Sequence, residues 1–161
     1  MGLDFGIYYK KKTEKMPKEC DWYKWMDNHE LCYGRKAWEL VHFLNLPTND
    51  MTDPLVNKED WDRFITALNK LLKGKSIDYF STLYEEYKLI DKYEQYDKDI
   101  PPHILDDVLR YESWYDTTFD ETPTLGYDFA LNYLKNFYEA NNEIQKYFNN
   151  DEYEVKAYIS Y

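Results

Sequence analysis

MGLDFGIYYK, residues 1–10, decides the fold. Leu3, Phe5, Ile7 and Tyr9 point one way, and Asp4, Gly6, Tyr8 and Lys10 the other, which is the period of a half-buried strand. The far end of the chain repeats the pattern: in EYEVKAYISY, residues 152–161, Tyr153, Val155, Ala157 and Ile159 alternate with Glu154, Lys156 and Tyr158. What lies between is mostly helical. Two terminal strands side by side would close one small antiparallel sheet with helices packed on one face, so the predicted class is α+β. The chain has 161 residues, which suits a single domain over 1–161 with a core of its own. It shows no internal repeat and no low-complexity tract.

Working inward, KKKTEKMPKE is charged, broken by Pro17, and predicts a loop. CDWYKWMDNHELCYG, residues 20–34, has no single period, with Trp22 and Trp25 three apart and Gly34 as a stop. In KAWELVHFL, residues 36–44, Ala37, Leu40, Val41 and Leu44 form an apolar helical face. Asn57 is placed to cap the next helix, whose stripe is Trp61, Phe64, Ile65, Leu68 and Leu72, with Gly74 as its stop. Ser76 caps another, with Phe80, Leu83, Tyr84 and Tyr87 inward. HILDDVLRY, residues 103–111, predicts one short helix, and ESWYDTTFDETPTLG has no clear period. A long helix follows from Tyr127 through Leu134 and Tyr138 and, past a polar turn, Ile144 and Phe148.

Composition narrows the function classes. Aromatics are abundant, with 8 Phe, 5 Trp and 18 Tyr, and a core edged with Tyr needs many side-chain hydrogen bonds. The net charge is -11, and it is uneven. Residues 1–75 carry 13 Lys and Arg against 12 Asp and Glu, while residues 76–161 carry 7 against 19. That balance repels phosphate backbones, so no direct nucleic-acid contact is expected, and it suits a basic partner. No run approaches membrane-spanning length, and no basic-then-apolar leader opens the sequence. The expected location is therefore the cytoplasm, with Cys20 and Cys32 as reduced thiols.

Chemistry-bearing motifs are scarce. Five glycines supply no phosphate-binding loop, and no nucleophile elbow or kinase signature occurs. His29 between Cys20 and Cys32 offers zinc-type donors at poor spacing, and His29-Glu30 lacks the second His of a metalloprotease helix. His103 precedes Asp106 and Asp107 by three and four residues, a spacing at which a carboxylate orients an imidazole. The same spacing is common on solvated helices. Trp38 and His42 stack four apart at the border of an apolar stripe, which reads as a core indole and a marginal imidazole. No catalytic, cofactor-binding or metal-ligating residue is assigned, and no cofactor is expected.

Lys36-Ala-Trp38-Glu-Leu-Val-His42-Phe43-Leu44 resembles the K-x-W-(acidic)-apolar-apolar-H-F segment of the YfbM-like family of small uncharacterised bacterial proteins. MGLDFGIYY looks like that family's Met-Gly start and first strand. WDRFITALNKLL with SIDYFSTLYEEYKLI is similar to its middle helices, and YLKNFYEANNEIQKYF with EVKAYIS to its final helix and strand. The turn after Leu44, NLPTND, lacks the family's usual glycine, and residues 91–124 have no counterpart. The shorter stretch YGRK, residues 33–36, also resembles phage-associated proteins that begin MGLD. The resemblance implies a compact α+β domain and no activity.

The functional expectation is a non-enzymatic acidic protein-binding module, of the immunity type or an inhibitor of a basic protein or nuclease. Its partner is another protein. DWYKWM, residues 21–26, and YESWYDTTFDE, residues 111–121, are the candidate contact regions, because Tyr and Trp suit interfaces. The alternative is an enzyme or small-ligand binder with His42 or His103 in a pocket.

Overall fold

A computed structural model describes residues 4–35, 38–48, 53–87, 101–119 and 134–160, with the side chains of Trp38 and of residues 84–87 excepted. The alternating ends form strands, β1 (Asp4–Lys11) and β3 (Tyr153–Ser160), and they pair antiparallel from Asp4–Ser160 to Lys11–Tyr153. A further strand, β2 (Glu30–Arg35), pairs antiparallel with the other edge of β1, giving the order β2-β1-β3. A bulge falls between the Ile7–Cys32 and Tyr8–Glu30 pairs. Beyond β3, Leu55 bridges Lys156, and Val56 N–H donates to Val155 O at 2.9 Å. The predicted class holds: an α+β fold in which one antiparallel sheet includes both terminal strands.

By backbone contacts the chain divides into two compact units, Met1–Phe64 with Asn136–Tyr161, and Ile65–Lys135. In the first, the sheet face of Phe5, Ile7, Val155 and Ala157 is buried. It carries the main helical layer. Helical residues 134–139 (α6, numbered in chain order) bring Phe137 to stack on Phe5 at 5.2 Å. Helix α2 (Trp38–Phe43) buries Leu40 and Val41, and α3 (Lys58–Leu72) buries Trp61 and Phe64. Each such side chain contributes about 1.5–3 kcal/mol by leaving water. The Trp61 indole N–H donates to Asn141 Oδ1 at 2.8 Å, at the start of α7 (Asn141–Phe148). The helix α1 (Trp22–His29), entered through a 3-10 turn at Glu19–Asp21, leans over the opposite sheet face, where Trp22 meets Tyr158.

That opposite face explains Gly6. The Tyr158 ring lies against it, and a Cβ at residue 6 would stand 2.2 Å from Tyr158 Cε1. Only a residue without a side chain tolerates such an approach.

The second unit contains the end of α3, α4 (Ile77–Tyr87) and α5 (Pro102–Phe119). The Asn57 cap on α3 forms as expected: its Oδ1 accepts from Glu59 N–H at 2.8 Å. Gly74 adopts φ 82° after α3, and Ser76 Oγ accepts from Tyr79 N–H at 3.3 Å to start α4. Leu68, Phe80, Leu83, Val108, Tyr111 and Tyr115 fill the core. Asp107 is buried and accepts from Lys75 Nζ, Tyr79 Oη and Arg110 Nη1. Burial raises its pKa, but these hydrogen bonds prevail and hold it at about 2.

Two stretches differ from the sequence reading. The run 20–34, which had no single period, resolves into α1 and β2. α5 does not stop at Tyr111 but runs on to Phe119, because Val108, Tyr111 and Tyr115 continue one inward stripe through the polar text. The helix expected from Tyr127 is described from 134, and the polar turn expected before Ile144 falls at Ala140, between α6 and α7. Residues 127–133 lie outside the described residues, as do the side chains of Trp38, Tyr84 and Tyr87.

Candidate functional site

The outer face of the sheet and α1 enclose a cleft of about 290 Å³. Strand alternation builds its floor. Asp4 pairs with Ser160, and Gly6 pairs with both Tyr33 and Tyr158, so the side chains of Asp4, Tyr33, Tyr158 and Ser160 share the face away from the main core. Helical spacing builds its wall. Trp22, Tyr23, Met26 and Asp27 follow one another around α1, and Glu30 closes the corner where α1 passes into β2.

Each lining side chain is held differently. Tyr158 donates its hydroxyl to Glu30 Oε2 at 2.6 Å and meets the Trp22 ring edge to face, centroids 5.4 Å apart at 85°. Burial and then this hydrogen bond push the Tyr158 hydroxyl well above its usual pKa, so it remains a donor. Tyr33 is raised too, by burial and then by the Asp4 carboxylate beside it. Asp4 meets Arg35 Nε at 3.4 Å. Met26 is the buried member of the wall, while Tyr23 is 77% exposed at the rim. The site therefore presents four aromatic rings and three carboxylates around one concavity.

A second aromatic group lies on the other flank of α1. The His29 ring stacks on Trp25 at 3.8 Å and its Nδ1 lies 2.7 Å from Trp25 O. Trp25 Nε1 donates to Glu14 Oε1 at 3.0 Å, and that bond is the main reason the Glu14 carboxyl sits below its usual pKa. This cluster ties the loop after β1 to α1.

The histidines weighed from the sequence fall elsewhere. His42 and His103 are exposed and line no part of the cleft. Asp107, a proposed orienter of His103, has turned inward with both oxygens committed to Lys75, Tyr79 and Arg110. Cys20 is exposed on the 3-10 turn and Cys32 is buried on β2, its thiol pushed up by burial. Among the described residues no group of three or more His, Cys, Asp or Glu could hold a metal ion, and no helix is long and apolar enough to cross a membrane.

The two candidate contact regions part company. DWYKWM supplies Trp22, Tyr23 and Met26 to the cleft. In the second region Tyr111 and Tyr115 are core residues, and Trp114 Nε1 donates to Ala67 O at 2.8 Å, so its aromatic side chains serve packing. Asp4 and Tyr158 carried no signal in the sequence beyond their strand parity, and Glu30 and Tyr33, on the unread β2, carried none. Compared with protein-family models, with curated proteins and with solved structures, the chain matches nothing.

Proposed function

We propose that the protein is a non-enzymatic binding protein that docks a basic partner protein, in the manner of an immunity-type protein or an inhibitor of a basic protein or nuclease. The observation that carries this reading is the cleft itself: carboxylates set beside aromatic rings around one concavity, with Tyr23 standing out at the rim. Tyr and Trp anchor interfaces because they bury much area at low entropic cost. The net charge of -11 adds long-range attraction for a basic surface and makes the encounter sensitive to salt. The resemblance to the YfbM-like family is compatible with such a domain and favours no activity.

The test is affinity capture from the source cells at low and high salt, using the unaltered chain and an Asp27→Lys variant. Asp27 is exposed on α1, so the change reverses charge at the cleft without disturbing the core. One stoichiometric basic protein, held at low salt, released at high salt and lost by Asp27→Lys, is the expected outcome. Equal capture by both chains, or capture of nothing by either, refutes the reading.

A further inference from the structure

We infer that the cleft between α1 and the outer sheet face receives the guanidinium of a single arginine side chain. The inference rests on the binding-protein reading above and names what that site recognises. Size comes first. A water molecule's share of liquid is ~30 Å³, so 290 Å³ holds roughly ten waters, at the lower edge of ligand pockets. That is room for one long side chain and little else.

The lining then selects its chemistry. Trp22, Tyr23, Tyr33 and Tyr158 bring aromatic rings, whose faces attract cations, and Trp22 and Tyr158 stand perpendicular, so a planar group against one ring meets the edge of the other. Glu30 is already oriented: Oε2 is fixed by the Tyr158 hydroxyl at 2.6 Å, and among the described residues Oε1 accepts nothing. Asp27 likewise has no partner among the described residues, and both carboxylates line the same concavity. A guanidinium lies flat on a ring while its N–H edge faces carboxylates, and it is weakly hydrated, so it enters such a site at less cost than an ammonium. Charge, planarity and size thus converge on arginine.

The probe is N-acetyl-arginine amide, titrated at low salt into isotopically labelled protein. N-acetyl-citrulline amide, nearly the same shape without the charge, and N-acetyl-lysine amide serve as comparisons. The expected result is a saturable shift of the Trp22 indole N–H, assigned with Trp22→Phe, with a Kd on the order of a millimolar. Citrulline amide should bind at least about tenfold more weakly, the loss of one charge-assisted contact, and lysine amide detectably more weakly than arginine amide. Tyr23→Ala and Asp27→Asn, both at exposed positions and so leaving the fold intact, should each weaken arginine binding several-fold. Shifts confined to residues outside the cleft, or equal binding of citrulline amide, overturn the inference. Equal binding of lysine amide overturns the guanidinium assignment and leaves the binding-protein reading standing. Saturable arginine binding by a chain that captures no partner supports the inference and sinks that reading instead.

Discussion

Gly6→Ala tests the packing of the outer sheet face through a sign change. Residue 6 is not in the left-handed region, so alanine suits its backbone, and on conformational grounds alone the substitution gains about 0.5–1 kcal/mol. The new methyl, however, would lie 2.2 Å from Tyr158 Cε1, and the ring has to swing away. It then gives up its bond to Glu30 and its edge contact with Trp22. The first contributes about 1–2 kcal/mol at a half-exposed site, below the ~1.5–3 of a buried charged hydrogen bond. The second contributes about 0.5–1.5 kcal/mol. Gly6→Ala should therefore cost a net of about 1–2 kcal/mol, within the usual range for overpacking. With Tyr158→Ala already in place, the obstacle is gone and Gly6→Ala should be neutral or stabilise by up to about 1 kcal/mol. Urea unfolding of the four proteins in the cycle measures this directly. A coupling energy below about 0.5 kcal/mol, the limit for independent sites, would refute the account of Gly6.

Acid should act through Asp107. Its folded pKa of about 2 lies below the ordinary 3.8, so its contribution is complete above about pH 4 and is lost as pH falls toward 2. Asp107→Asn should cost about 2–3 kcal/mol at neutral pH, tempered from the ~3–5 of a fully buried pair by the half-exposed Lys75, and should flatten stability between pH 4 and 2 in urea titrations. Thiol labelling of the native protein should modify Cys20 quickly and Cys32 only on unfolding, as counted by mass spectrometry. In the second aromatic region, Tyr115→Ala should cost about 3–5 kcal/mol as a core truncation, while Trp114→Phe should cost about 1 kcal/mol for its bond to Ala67, both read by thermal melts.

The terminal strands were legible because the positions on their inner face are apolar, Phe5 and Ile7 beside Val155 and Ala157. β2 was not, because the positions it buries are Cys32 and Gly34, which leave no hydrophobic alternation to read. α5 was cut short for the opposite reason: Tyr111 and Tyr115 are apolar rings set among Glu, Ser, Asp and Thr, and the polar neighbours hid the stripe. The cleft was half legible. Its α1 wall comes from one short stretch, Trp22 to Asp27, whereas its floor joins Asp4 to Ser160 and Gly6 to Tyr33 and Tyr158 by strand pairing alone. Such adjacency exists only once the register does.

The pairing of β1 with β3 also dictates a timetable. Lys11 faces Tyr153, so the central strand has one neighbour nearby in the chain and the other roughly 140 residues later. At about 5–20 residues per second, synthesis leaves that edge of β1 without its partner for about 7–30 seconds. Until then Phe5 and Ile7 belong to an open template that any strand can extend. The sheet, and with it the floor of the cleft, is completed only after Ala157 and Tyr158 have been made, so a ribosome-bound chain that stops short of them carries α1 over a floor that still lacks Tyr158 and Ser160.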